Sequence, residues 1–91
     1  MTLDKIFKCE SRKKIVSFFY QNSTAVDTLR GIVTWTGLSE KEVVKALEEL
    51  VDSGILIAHR TSGTVGYAYT SDKKLIKDIK NYFQKSNKMG Q

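Results

Sequence analysis

Residues 36–56 read TGLSEKEVVKALEELVDSGIL, and the local signals inside them decide how the chain folds. Gly37 can take the left-handed conformation that ends a helix, since it carries no Cβ. Ser39, followed three residues later by Glu42, forms a capping box that opens the next helix. From there Val43, Val44, Leu47, Leu50 and Val51 recur at helical spacing, so a helix over residues 39–53 has one apolar stripe. Leu38 staples its entry and Gly54 closes it. Two helices joined by a Gly-Leu-Ser turn make a helix-turn-helix. The same helix holds Glu40, Glu42, Glu48, Glu49 and Asp52, an acidic load that a phosphate-facing surface does not need.

Working outward, Val26, Leu29, Ile32, Val33 and Thr36 lie along one stripe of a short helix interrupted by Gly31. Ser23 or Thr24 can cap it, after a polar break at Asn22. Before the break, Leu3, Ile6, Phe7, Ile15, Val16, Phe18 and Phe19 predict either one kinked helix or two in sequence, with Ser11 as the cap of the second piece. Beyond Gly54 the period changes. Residues 55–59 and 65–69 are β-branched and aromatic around the turn material of residues 61–64, which predicts a hairpin. His59 reads as a partly buried strand residue, and Tyr67 and Tyr69 as core-facing. Leu75, Ile76, Ile79, Tyr82 and Phe83 then form the apolar seam of a last helix, with Lys73, Lys77 and Lys80 displaced around it. An isolated hairpin is marginal and must pack on the helices. The expected fold is mainly α with a β-hairpin wing, a winged helix-turn-helix in the order helix-helix-helix-hairpin-helix. It occupies one domain over residues 1–85, followed by a frayed tail from 86.

Ninety-one residues allow one small core. No apolar run approaches the ~20 residues of a membrane span and no signal core precedes residue 20, so the expected location is cytoplasmic. One cysteine, Cys9, and one histidine supply neither a disulfide nor a closed metal site, and Cys9 reads as a small helix-packing residue. No nucleophile–base pair or phosphate-binding glycine loop is visible, so neither an enzyme nor a cofactor is expected. The formal charge of +5 points to a polyanionic partner, but it is unevenly placed. Residues 1–20 carry a net +3 and residues 71–91 a net +4, whereas residues 21–70 carry a net −2.

Thr36-Gly37-Leu38-Ser39, Val43, Leu47, Leu50 and Ser53-Gly54-Ile55-Leu56 resemble the pattern of small prokaryotic winged-helix transcription regulators of the ArsR and MarR type. Residues 11–16, SRKKIV, resemble the first core helix of such regulators, and the resemblance spans residues 6 to about 70. It implies a dimeric DNA-binding protein with the third helix in the major groove and the wing on the backbone or minor groove. It implies no effector, because the cysteine and histidine clusters of metal-sensing members are absent. The chain departs from the pattern in alternating acid with base along the reading helix. It also places Trp35, a core-edge or interface residue, where a polar side chain is common.

The candidate DNA contacts on the third helix are Ser39, Lys41, Glu42, Val44 and Lys45. Lys41 and Lys45 share a face; the alternative is a solvated surface paired with nearby glutamates. Val44 reads either as core or as a contact to a thymine methyl, and Glu42 either as a cap or as an acceptor for a cytosine amino group. Glu48, Glu49 and Asp52 fall in the second half of the helix and are expected to point away from phosphates. In the wing, over residues 60–66, the candidates are Arg60, Thr61, Ser62 and Thr64, which suit phosphates or a narrow minor groove but are also ordinary turn residues. Leu3, Phe7, Leu75, Ile79, Tyr82 and Phe83 are the candidate seam of a homodimer; packing within one chain is the alternative. The expected partners are double-stranded DNA and a second copy, with no membrane. An interaction module that binds a protein partner is the competing reading.

Overall fold

A computed structural model describes residues 2–89, with the side chains of residues 2–85. Its elements are α1 (Leu3–Lys8), α2 (Glu10–Gln21), β1 (Val26–Thr28), α3 (Leu29–Thr36), α4 (Glu40–Asp52), β2 (Leu56–Thr61), β3 (Thr64–Tyr69) and α5 (Lys73–Met89). The helix-turn-helix is α3 and α4, and Gly37 (φ 73°) and Gly54 (φ 84°) take left-handed conformations at the ends of these two helices. The core joins all layers. Ile15, Val16 and Phe19 of α2 meet Ile32, Val43, Leu47 and Leu50, with Ile55, Leu56 and Ile79 closing it.

The N-terminal helix is two helices, broken where Cys9 is extended. Ser11 is not the cap of the second; it lies inside α2 and is buried, and Cys9 holds the N-cap position. The break is stabilised from outside. The Arg12 guanidinium donates from Nε to the Ile6 carbonyl (3.1 Å) and from Nη2 to the Lys5 carbonyl (2.9 Å), satisfying acceptors that the end of α1 leaves open.

The second expected helix starts later than its apolar spacing predicts. Thr28, not Ser23 or Thr24, caps α3, its Oγ1 accepting from Gly31 N (3.2 Å). Residues 26–28 instead add a strand to the wing, so the sheet has three strands in the order β1-β3-β2, all antiparallel. Val26 is therefore 64% exposed and sits opposite Ala68, not in a helical stripe. The short strand replaces an isolated hairpin with a ladder that is paired on both sides of β3.

Asp27 then becomes a structural hub. Its Oδ2 accepts from Trp35 Nε1 (2.7 Å) and its Oδ1 from Thr28 N (2.8 Å), while Trp35 stacks on Phe18 at 4.1 Å between ring centroids. Trp35 thus covers the core edge. Gly31 leaves room for this carboxylate, because a Cβ there would collide with Asp27 Oδ1. Gly→Ala inside a helix ordinarily stabilises by about 1 kcal/mol. At position 31 the sign reverses: Gly31→Ala is expected to destabilise by about 1–2 kcal/mol by displacing Asp27 from Trp35. Denaturant melts of Gly31→Ala and of Asp27→Ala/Gly31→Ala check this, with the second alanine costing less in the double variant than alone.

Tyr69 is 7% exposed, and its Oη is buried with no hydrogen-bond partner among the described residues. Burial, helped by Tyr20, pushes its pKa from 10 up to about 12, so the fold accommodates the neutral phenol. The raised value means the contribution to stability is complete below pH 10 and is lost as pH rises through about 12. Tyr69→Phe is expected to be neutral or stabilising by about 1 kcal/mol and to remove this alkaline loss, as pH-dependent thermal melts between neutrality and pH 12 will register.

The last helix folds back on the first. Phe7 stacks on Tyr82 (4.0 Å between centroids) and meets Phe83 edge-on (5.3 Å), while Tyr20 stacks on Phe83 (4.9 Å). The tail expected to fray from 86 is helical to Met89; residues 90 and 91 lie outside the described residues. No described helix is long and apolar enough to cross a membrane.

Candidate nucleic-acid interface

The N-terminus of α4 is built by its cap. Ser39 Oγ accepts from Glu42 N (3.2 Å) while Ser39 N donates to Glu42 Oε1 (3.3 Å), the reciprocal pair that the sequence predicts. Ser39 Oγ also donates to Glu42 Oε1 (3.0 Å). Both residues are exposed but are engaged with each other, so Glu42 is first of all a cap.

Val43, Ala46, Leu47 and Leu50 face the core, and at 100° per residue the opposite stripe holds Lys41, Lys45, Glu48 and Asp52, all exposed. Here the sequence-based sorting of the acids needs correction. Glu49 alone of the three later acids turns aside, where its Oε1 accepts from Arg12 Nη1 at 2.7 Å. Glu48 and Asp52 share the outward stripe with the lysines, because they stand three and four residues along the same ridge. The outward face of α4 is therefore charge-balanced. Val44 lies between core and surface, half-buried.

The wing is the β2–β3 hairpin, turned at Ser62 and Gly63 (φ 80°) and closed by the pair Thr61↔Thr64. Arg60, Thr61, Ser62 and Thr64 are all exposed. Alternation along β2 separates two neighbours. Arg60 shares the inner sheet face with Ala58 and, across the ladder, Val65 and Tyr67, while His59 pairs with Gly66 on the outer face. His59 is therefore exposed, not partly buried, because its only cross-strand neighbour on β3 is a glycine.

Folding brings three elements to one cleft of about 380 Å³. Thr28 and Arg30 at the start of α3, Glu40 at the start of α4, and Gly63, Thr64 and Tyr67 of the wing line it. Tyr67 is also a wall of a second cleft of about 230 Å³, where Arg60 lies with Glu48 and Asp52. Arg30 and Tyr67 are absent from the sequence-based candidates. The signal for Arg30 was its place two residues after a capping threonine, visible only once Thr28 is known to start α3. Lys14 is exposed, and its Nζ donates to the Thr36 carbonyl (2.7 Å), capping the end of α3.

Cys9 is half-buried at the start of α2, and its thiol pKa is lowered, chiefly by the Arg12 backbone N–H and against the effect of burial. Among the described residues no group of three or more His, Cys, Asp or Glu could hold a metal ion. Of the six apolar residues read as a dimer seam, Phe7, Ile79 and Phe83 are buried by their own chain, and Leu3, Leu75 and Tyr82 are half-buried.

A helix-turn-helix flanked by a three-stranded wing and closed by a terminal helix is a winged helix-turn-helix fold. HlyU from Vibrio cholerae N16961 has the same architecture, with a TM-score of 0.68 over 89% of this chain and 87% of that chain at 19% sequence identity. At that identity the likeness establishes the fold. No protein-family model and no curated protein matches the chain.

Proposed function

We propose that this protein is a sequence-specific transcription regulator that binds duplex DNA as a homodimer in the cytoplasm, with α4 in the major groove and the wing on the backbone or minor groove. The observation that carries this reading is the cleft in which the start of α4, the start of α3 and the wing turn converge, with Lys41 and Lys45 exposed on the outward stripe of the same α4 and in no ion pair among the described residues. The sequence resemblance to ArsR- and MarR-type regulators points the same way. Lys41 and Lys45 reach phosphates or guanine edges, and Arg60, Thr61, Ser62 and Thr64 hold the flanking backbone. Arg30 joins them from the start of α3. Ser39 and Glu42 hold the entry of the reading helix, and Val44 contributes an apolar edge. A copy of the chain packs along α1 and α5, where Leu3, Leu75 and Tyr82 continue the buried surface of Phe7, Ile79 and Phe83.

Anisotropy of a labelled duplex from the region upstream of its own gene tests the reading at two salt concentrations. The expected outcome is tight binding that weakens steeply with salt and that a random duplex competes poorly. Sedimentation should give twice the 10.3 kDa chain mass. The exposed acids Glu40, Glu48 and Asp52 favour the competing reading, a protein-interaction module. Absence of duplex binding at low salt would select it.

A further inference from the structure

A large share of the positive charge of this chain, a net +4 over residues 71–91, lies on a surface that the helix-turn-helix does not use. On α5, Ile79 and Phe83 are buried and Leu75, Ile76 and Tyr82 half-buried, whereas Lys73, Lys74, Lys77, Lys80 and Lys85 are all exposed on the remaining face. One acid, Asp78, stands near them, and its contact with Lys74 is long (3.8 Å) and open to water. Asp72 is occupied as a cap, accepting from Lys74 N (2.9 Å) and Leu75 N (3.3 Å).

Nothing in the fold explains this face. Lys73 and Lys77 stand four residues apart, and Lys74, Lys77 and Lys80 three apart, spacings at which like charges destabilise a helix. Lys73 and Lys74 also occupy a first turn with no acid, where the helix dipole disfavours cations. A polyanion lying along the helix relieves both costs. The outward stripe of α4, by contrast, sets Lys41 and Lys45 against Glu48 and Asp52.

We propose that the lysine face of α5 is a second, sequence-independent contact surface for the backbone phosphates of duplex DNA. This inference rests on the DNA-binding reading above and divides its labour. The cleft between α4 and the wing discriminates sequence at little electrostatic gain, and α5 supplies most of the phosphate contacts. An anionic membrane is the other polyanion that a basic helix meets, but a helix that lies in a bilayer surface needs a free apolar face. The apolar face of α5 is covered at Phe83 by Phe7 and Tyr20, and its half-buried Leu75 and Tyr82 are taken by the second copy in the dimer proposed above.

The test is a salt titration of binding to a random-sequence duplex by the wild-type chain and by Lys73→Gln/Lys77→Gln/Lys80→Gln/Lys85→Gln. Each phosphate contact contributes about 0.9 to the slope of log affinity against log salt, so the variant is expected to lose about 3–4 from it. The corresponding arginine variant should keep the slope, and both should melt no lower than the wild type, since the four side chains are exposed and mutually repelling. A wild-type slope retained by the glutamine variant overturns the inference and leaves the DNA-binding reading intact. Wild-type binding to phosphatidylserine vesicles with no binding to any duplex overturns both.

Discussion

Lys41→Glu/Lys45→Glu/Arg60→Glu is expected to lose specific duplex binding on the order of a thousandfold while melting at the wild-type temperature, because forcing three like charges against phosphates costs several kcal/mol. The fold is expected to survive for a specific reason. All three side chains are exposed, and none makes a hydrogen bond or ion pair among the described residues. Arg60 faces Glu48 and Asp52 across a cleft, so its reversal adds some repulsion there, screened by the water that fills it. Anisotropy on the cognate duplex, with thermal melts of the same samples, reads both quantities. Unchanged affinity in the triple variant would remove α4 and the wing from the interface.

Arg12 carries the second large effect, and it is one of stability. Its side chain is 13% exposed and holds three elements together: two carbonyls at the end of α1, the body of α2, and Glu49 on α4, itself 26% exposed. Arg12→Ala leaves those carbonyls open and strands a half-buried carboxylate, a loss of about 2–4 kcal/mol. For a domain of this size that lowers the melting temperature by about 10–20 °C. Glu49→Ala in the Arg12→Ala background should cost little more, whereas independent roles would give additive losses. The link also joins α1, which carries Phe7 against α5, to α4.

The helix-turn-helix was legible because its signals are local. Gly37, the Ser39–Glu42 box and Gly54 each act within one turn of chain, and each acts as the spacing predicts. β1 was not legible. Val26 and Leu29 stand three residues apart and fit a helical stripe as well as a strand, and what decides between them is β3, some forty residues away. The acids of α4 show the same limit. Glu42 was legible as a cap from its neighbour Ser39, but the role of Glu49 depends on Arg12, 37 residues earlier. Glu48 and Asp52 were misplaced by an argument from position along the helix, where rotation about it decides. In the candidate site the exposed members of α4 and the wing were visible as surface residues of two punctuated elements. Arg30 and Tyr67 enter only through the folding of α3 and β3 against them. The seam residues Phe7, Ile79 and Phe83 carried an ambiguity that no periodicity resolves, since an apolar helix face looks the same whether its own chain or another covers it.

The most direct test of the account is a map of amide shifts in an isotope-labelled sample as the upstream duplex is added. The account predicts the largest changes at Arg30, along the Lys41–Lys45 half of α4 and through residues 60–66 of the wing, with a second set along α5. Changes confined to Trp35 and β1, or none at concentrations where the duplex is in excess, would contradict it.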